Sequence, residues 1–321
     1  MDFRQLRYFS AIYEHGTLSR AAEEMRVAIS ALSHHLANLE AELSAPLFVR
    51  KPRGMQPTAA GERLYEHARS ILRAVAAAEK DILKSAGEVS GEISVGMAFS
   101  AVRAIGVPLM KAVLEQFPNL QLSLTENLSA PTLSHLESSE VDLALAYNPP
   151  ANPKFKLLPL LEEKLICVGL PAIIGDSTDP IDLDDMLELP IILLRQGISN
   201  RALMEDVVSL KKLESRARLQ LNSVFAITGS LKEGLGCTVG THLVMREELE
   251  RGELHARPIT SPELSRTIYL CEMADRPATF AREAVMSLIY NLVAEAVETG
   301  FWRGTTMAQK SGDWSFLKAH Q

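Results

Sequence analysis

The hydrophobic positions of this chain change period along its length, and each change marks a boundary. Up to residue 43 they recur at helical spacing. Leu6, Phe9, Ile12 and Tyr13 predict a helix over residues 3–15; Gly16 ends it, and Thr17 or Ser19 can cap the next. Leu18, Ala21, Ala22 and Met25 mark a second helical face, on which small alanines let two helices cross closely. After a short connection (Arg26, Val27, Ala28), Leu32, Leu36, Leu39 and Leu43 form one stripe of a third helix over residues 29–43. The connection is as tight as a helix-turn-helix requires, which places that motif at about residues 18–37.

The face opposite these leucines carries Ser30, Ser33, His34 and Asn38, all able to donate or accept hydrogen bonds. Such a helix has its back in a core and its front open to a DNA major groove. An ordinary helical hairpin with a wetted polar face is the alternative, and the flanking residues weigh against it. Residues 46–57 predict two short extended pieces around a basic Pro/Gly turn, a wing that lays Arg50 and Arg53 against phosphates or in a minor groove. A long helix follows, capped by Thr58. Its heptad seam of Leu64, Ala68, Ile71, Val75, Ala78 and Ile82 predicts pairing with a second copy; packing on its own domain is the alternative.

Gly87 and Gly91 bracket a hinge, beyond which strands alternate with helices. Strands at 92–97, 120–126 and 141–147 with helices between them predict a βαβαβ unit and a mostly parallel sheet. A second unit follows a proline-rich loop at 148–153, with strands at 164–169, 191–194, 219–221, 237–239 and 267–273 and a closing helix at 279–298. The stretch 300–321, which holds Trp302 and Trp314, exceeds what the body needs. It is either a frayed polar end or a segment docked on the body or on a partner.

Leu6, Phe9, Gly16, Ala21, Ala22, Ser33, Leu39, Glu40, Leu43, Leu47, Phe48, Arg50, Thr58, Ala60 and Gly61 together resemble the amino-terminal pattern of the LysR-type family of bacterial transcriptional regulators. The wing run RGMQPTAAG and the region around Leu64 and His67 resemble the nitrogen-assimilation-control branch of that family. The sequence departs from the family at three places. Ile29 stands where a base-facing glutamine is usual, so it meets a thymine methyl or that contact is lost. His34 replaces an arginine, and Ser44 a glycine. The resemblance implies a winged helix-turn-helix at 1–58, a linker and dimerisation helix at 59–87 that pairs antiparallel, and an effector-binding domain at 91–299. That domain would be an α/β, two-lobed, periplasmic-binding-protein-like body. Lobe I would span 91–160 and 265–299, lobe II 161–264, with the chain crossing near 159–161 and 259–265.

Ligands of α/β sheets bind beyond the carboxyl ends of strands, where loops lead into helices. Ser100, Asn127 and Ser129 stand at such points in the first lobe, and Gln196, Ser199 and Asn200 would face them from the second. These uncharged hydrogen-bonding groups suit a small polar or carboxylate-bearing effector; helix capping is the alternative role for each.

The net charge of −7 weighs against a nucleic-acid partner until it is divided: residues 1–57 carry about one net positive charge, and the acidity lies downstream. DNA binding is therefore expected to be modest, steeply salt-dependent and reliant on two modules acting together. Composition is ordinary for a 321-residue globular chain, with 47% hydrophobic and 23% charged residues and no membrane-length apolar run. No signal-peptide pattern opens it, and a cytoplasmic location is expected. Cys167, Cys237 and Cys271 lack paired spacing and read as reduced, buried residues. Gly234-Leu235-Gly236 is too short for a dinucleotide loop, and adjacent His34 and His35 diverge on a helix and cannot share a metal. No catalytic motif, metal set or cofactor is expected. The expected partners are double-stranded DNA, a small-molecule effector, further copies of the chain (homodimer or homotetramer) and RNA polymerase. A solute-binding protein or metabolic enzyme with a helical oligomerisation module is the alternative.

Overall fold

The computed structural model describes residues 1–52, 54–83, 89–195, 203–276 and 279–308, with side chains for all of these except Arg73 and residues 77–83. Its contacts divide the chain into two units, Met1–Ala86 and Gly87–Gln321.

The first unit runs α1 (Phe3–His15), α2 (Leu18–Glu24), α3 (Ile29–Leu43), β1 (Phe48–Lys51), β2 (Gly54–Pro57) and α4 (Ala59–Leu83). Asp2 opens α1 with a reciprocal capping box to Gln5, and Thr17, rather than Ser19, caps α2. Leu6, Phe9, Ile12, Ala21, Leu32 and Leu39 are buried together beneath Leu47 and Phe48 of the wing. Leu43, the last of the predicted stripe, is exposed, because α3 ends there and Ser44 takes the left-handed conformation at φ 52°. A side chain with a Cβ is strained in that region, so the physical preference at position 44 is glycine. Ser44→Gly is expected to stabilise the chain by about 1 kcal/mol; urea unfolding followed by circular dichroism checks this, and an unchanged midpoint would contradict it.

The seam of α4 is corrected by the structure. Ala68 is 0% exposed and packs in the unit's own core, with Leu64, Tyr65 and Leu72 against it. Tyr65 stacks on Tyr13 of α1 with ring centroids 3.8 Å apart, and its hydroxyl donates to Glu14 Oε1 at 2.8 Å. Burial and that carboxylate push the Tyr65 phenol up to about 12, so it stays a donor. The first turns of α4 therefore have their apolar face satisfied within the chain, since a helix leaving a small module supplies the cover the module lacks. Ala68 is withdrawn as a dimer residue and Leu64 is shared with the core; exposed Ile71 and half-buried Val75 remain, while the side chains of Ala78 and Ile82 lie outside the described residues.

In the second unit, β3 (Ser90–Ala98) leads into α5 (Phe99–Ala101), a π-helical turn (Val102–Gly106) and α6 (Val107–Gln116), followed by β4 (Asn119–Asn127), α7 (Ser129–Glu137) and β5 (Leu143–Tyr147). Next come β6 (Phe155–Lys164), β7 (Ile166–Gly169), α8 (Pro171–Ile174), β8 (Ile181–Asp182), α9 (Leu183–Met186) and β9 (Ile191–Leu194). The remainder is α10 (Val207–Arg216), β10 (Ala217–Leu221), α11 (Val224–Lys232), β11 (Thr238–Gly240), α12 (Arg246–Glu250), β12 (His255–Thr260), β13 (Ser265–Met273), α13 (Phe280–Glu298) and β14 (Thr305–Met307).

One lobe is a six-stranded sheet in the order β14-β6-β13-β5-β3-β4. Its β5-β3-β4 side is parallel, as the βαβαβ reading requires, but β13, β6 and β14 all pair antiparallel, so the whole sheet is mixed. The other lobe holds the four-stranded sheet β11-β7-β12-β8 and the parallel pair β10-β9. The chain crosses between lobes at Leu165 and again over residues 261–264, and Leu165 N donates to Leu264 O at 2.9 Å. The first crossing thus lies beyond 159–161, because those residues are interior to β6, where Pro159 and Leu161 pair with Tyr269 and Ile268 of β13 across a bulge at Leu160.

For the carboxyl-terminal stretch the structure decides between the two alternatives as far as residue 308. Trp302 is 1% exposed and β14 pairs with β6, so residues 300–308 belong to the body rather than to a frayed end; residues 309–321 lie outside the described ones. The indole of Trp302 supplies large apolar area at the sheet edge, and its N–H finds a carboxylate, as a buried tryptophan requires.

Candidate DNA interface and effector cavity

In the first unit the recognition surface is the front of α3. Leu32, Leu36 and Leu39 are buried behind it. Ile29 is 51% exposed, with Ser30, His34 and Asn38 exposed and Ser33 half-buried beside them. Asn38 Nδ2 lies 3.1 Å from His34 Nε2, so the two side chains one turn apart act as a unit. Ala28 precedes the helix without a side-chain cap, which leaves first-turn amides for solvent or phosphate. Arg26 holds the turn into α3 at φ 54°.

Arg50 of β1 reaches this surface: its Nη2 donates to Ser33 Oγ at 3.4 Å, joining wing and recognition helix. Arg53 lies outside the described residues. The wing itself is fixed from below. Glu40 Oε1 accepts from the amides of Leu47 at 2.7 Å and Phe48 at 3.2 Å, and Thr58 Oγ1 donates to Pro46 O at 2.7 Å while accepting from Gly61 N. At the tip, Met55 N donates to Gly16 O at 2.7 Å, and a Cβ on Gly54 would sit 2.3 Å from that same oxygen. The wing is seated against the end of α1 by backbone contact, which only glycine permits.

In the second unit a cleft of about 600 Å³, counted out to its open mouth, lies between the lobes. One side is Ser100, Ser129, Tyr147 and Arg266; the other includes Val224, Thr238, Thr241 and Met245. Ser100 Oγ and Tyr147 Oη are 2.7 Å apart, and Ser129 Oγ accepts from the Tyr147 amide at 3.0 Å. Burial pushes the Tyr147 phenol well up, so it is a neutral hydrogen-bonding group. The Arg266 guanidinium lies 3.7 Å from the Tyr147 ring centroid and pairs with Glu163 Oε2 at 2.7 Å, while Glu163 Oε1 accepts from Trp302 Nε1 at 2.9 Å. A buried cation already answered by a buried carboxylate, beside hydroxyls and apolar walls, suits a small, largely apolar ligand oriented by one polar group. The π-helical turn follows Ser100 directly, and its Arg103 pairs across the cleft with Glu247 at 2.9 Å.

Of the residues predicted for this cleft, Ser100 and Ser129 line it. Asn127 does not: it ends β4, the edge strand of the sheet, and so falls outside the walls. Gln196, Ser199 and Asn200 lie outside the described residues. Sequence reasoning missed Tyr147, Thr238, Thr241 and Arg266. Tyr147 carried the same signal as Ser100, the carboxyl end of a central strand. Arg266 and Glu163 were visible as charges at positions where the alternating pattern puts the core.

The buried thiols of Cys167 and Cys271 are held above their ordinary range. For Cys167 the hydrogen bond with Cys237 leads, then burial; for Cys271 the cause is burial. Among the described residues no group of three side chains could hold a metal ion, and no helix is long and apolar enough to cross a membrane.

Comparison with known proteins matches residues 3–62 to "Bacterial regulatory helix-turn-helix protein, lysR family" and residues 86–292 to "LysR substrate binding domain". The chain is 30% identical over 298 residues to the nitrogen assimilation regulatory protein nac of Escherichia coli, covering 92% of this chain and 97% of that protein. It is 28% identical over 313 residues to the HTH-type transcriptional regulator BbuR of Bordetella bronchiseptica, covering 95% and 94%. Among solved structures, a full-length OxyR variant from Pseudomonas aeruginosa superposes with a TM-score of 0.73 at 20% identity, covering 96% of this chain and 99% of that one. Full-length CbnR complexed with its target DNA gives a TM-score of 0.62 at 22% identity, covering 92% and 100%. At those identities the structures speak for the fold alone.

Proposed function

Because this chain belongs to the LysR family of bacterial transcriptional regulators, we propose that it reads an operator with the front of α3 and answers to a small molecule held between its two lobes. The observation that carries the first half is the polar face of α3, with Ser30, Ser33, His34 and Asn38 presented together and Arg50 drawn onto Ser33. Base edges would be read by Ser30, His34 and Asn38, Ile29 would meet a thymine methyl, and Arg50 with Arg53 would hold phosphates. The second half rests on the cleft at Ser100, Tyr147 and Thr238. Closure of the lobes on a ligand would change the geometry in which paired DNA-binding units are presented.

LysR regulators act as oligomers, and this chain has surface to match. On α6, Val107 at 70% exposed, Met110 and Leu114 form an unpaired apolar stripe, and Phe225 on α11 is 90% exposed. With the exposed part of α4, these faces support a homodimer or homotetramer. Light scattering at micromolar concentration is expected to give at least twice the chain mass, and a monomer would refute it. A cytoplasmic regulator of this kind would act through RNA polymerase bound beside it.

Pull-down of sheared genomic DNA at two salt concentrations, followed by sequencing, tests the whole reading. A few intergenic sites with paired half-sites are expected, and uniform recovery would count against it. Arg50→Ala is expected to weaken operator binding about three- to tenfold and to reduce the slope of log K against log salt by about 1. An unchanged slope would remove Arg50 from the phosphate contacts.

A further inference from the structure

The segment 241–246 has two faces. Thr241, Val244 and Met245 line the effector cleft, whereas His242, Leu243 and Arg246 line a separate cavity of about 480 Å³, counted out to its open mouth. Phe301 and Arg303, from the stretch after α13, close the other side of this second cavity. It is built, not incidental: buried Trp302 anchors that stretch to Glu163, and a Cβ on Gly304 would lie 3.4 Å from the His242 ring.

Two arginines, Arg246 and Arg303, line this cavity against one carboxylate, Glu250. Arg246 Nε donates to Glu250 Oε1 at 2.7 Å, and its guanidinium lies 4.5 Å from the Phe301 ring centroid. Its Nη1, however, is buried with no hydrogen-bond partner among the described residues. Arg303 is exposed at the opening and has no ion pair among the described residues. Other cations of the neighbourhood are answered within the protein, since Arg103 and Arg251 both pair with Glu247. Burial first, and then the nearby Arg303 charge, hold His242 below its ordinary range, against the opposing pull of Glu163. A buried guanidinium N–H without an acceptor is costly, and an oxyanion is the group that answers it, since arginine forks match carboxylate and phosphate.

We propose that this second cavity binds a small phosphate- or carboxylate-bearing anion between Arg246 and Arg303. Phe301, Leu243 and Leu249 offer the rest of the ligand an apolar wall. The site uses no side chain of the effector cleft, yet it shares the 241–246 wall with it.

Calorimetric titration of the full-length protein with inorganic phosphate and, separately, with succinate, at constant ionic strength, tests this. Saturable binding of at least one is expected, and which one binds identifies the headgroup. Arg303→Gln should weaken it about tenfold or more. Lys111→Gln, which removes the same charge from exposed α6, should leave it within about twofold. No saturable heat up to about 10 mM of either anion, or equal weakening by both variants, would overturn the proposal, because surface lysines and arginines in general would then account for any binding.

Discussion

Glu163→Ala is expected to destabilise the second unit by about 3–5 kcal/mol. Glu163 is 0% exposed and satisfies two groups at once, Arg266 through Oε2 and the Trp302 indole through Oε1. Removing it leaves the Arg266 guanidinium buried with no countercharge, and the indole N–H with no acceptor. The cost is that of the uncompensated charge and not the net worth of the ion pair, which is why truncation of one partner is so severe. Tyr147 and Ser100 would lose their support as well, since Arg266 lies on the Tyr147 ring and Tyr147 holds Ser100. Both tryptophans lie in the second unit, so fluorescence-monitored urea unfolding reads this change directly. Glu263→Ala, which removes the exposed partner of Lys164, is the comparison and should cost about 1 kcal/mol or less. Equal losses in the two variants would show that the buried network is no stronger than a surface pair.

Gly61→Ala should break the DNA-binding unit while leaving the second unit intact. Its added Cβ would sit 2.2 Å from Leu47 O, an oxygen that also accepts the amide of Thr58 at 2.9 Å. Neither the wing nor the first turn of α4 can retreat without giving up that bond or the Thr58 contact with Pro46. A loss of about 2–3 kcal/mol in that unit and a drop of more than about tenfold in operator affinity are expected. Circular dichroism should show an early transition that tryptophan fluorescence does not, because no tryptophan lies in residues 1–86. Gly229→Ala serves as the contrast: nothing lies within 4 Å of the added Cβ on helix α11, and a stabilisation of about 1 kcal/mol is expected there. Wild-type operator affinity in Gly61→Ala would mean that the wing can move without cost.

Much of the DNA-binding unit was legible because its determinants are local. Periodicity places Leu32, Leu36 and Leu39 on one face of one helix, and the polar front follows from the same geometry whatever else the chain does. The family pattern includes Glu40 and Gly61, and the structure supplies their reasons, a carboxylate under two wing amides and a backbone too close for a Cβ. Ser44 illustrates the same relation from the other side, a departure from glycine at a position that still adopts the left-handed conformation.

The effector cleft was legible only in part. The strand-end rule found Ser100 and Ser129, yet it put Asn127 beside them, because a sequence does not say which strand forms the sheet edge. The same limit hid the role of Ala68: a heptad seam looks alike whether a second copy or the chain's own module covers it. Local spacing is set by backbone geometry that every segment carries with it, so the sequence by itself determined the helices of the first unit, the winged helix-turn-helix, the βαβαβ start of the second unit and the order of the two units, but not β6, β12 or β14, which the periodicity left unassigned. Which buried charges meet depends on pairings between segments far apart in the chain. Only the tertiary structure brought Glu163 to Arg266 and Trp302, closed residues 300–308 onto the body, and set 241–246 between two cavities.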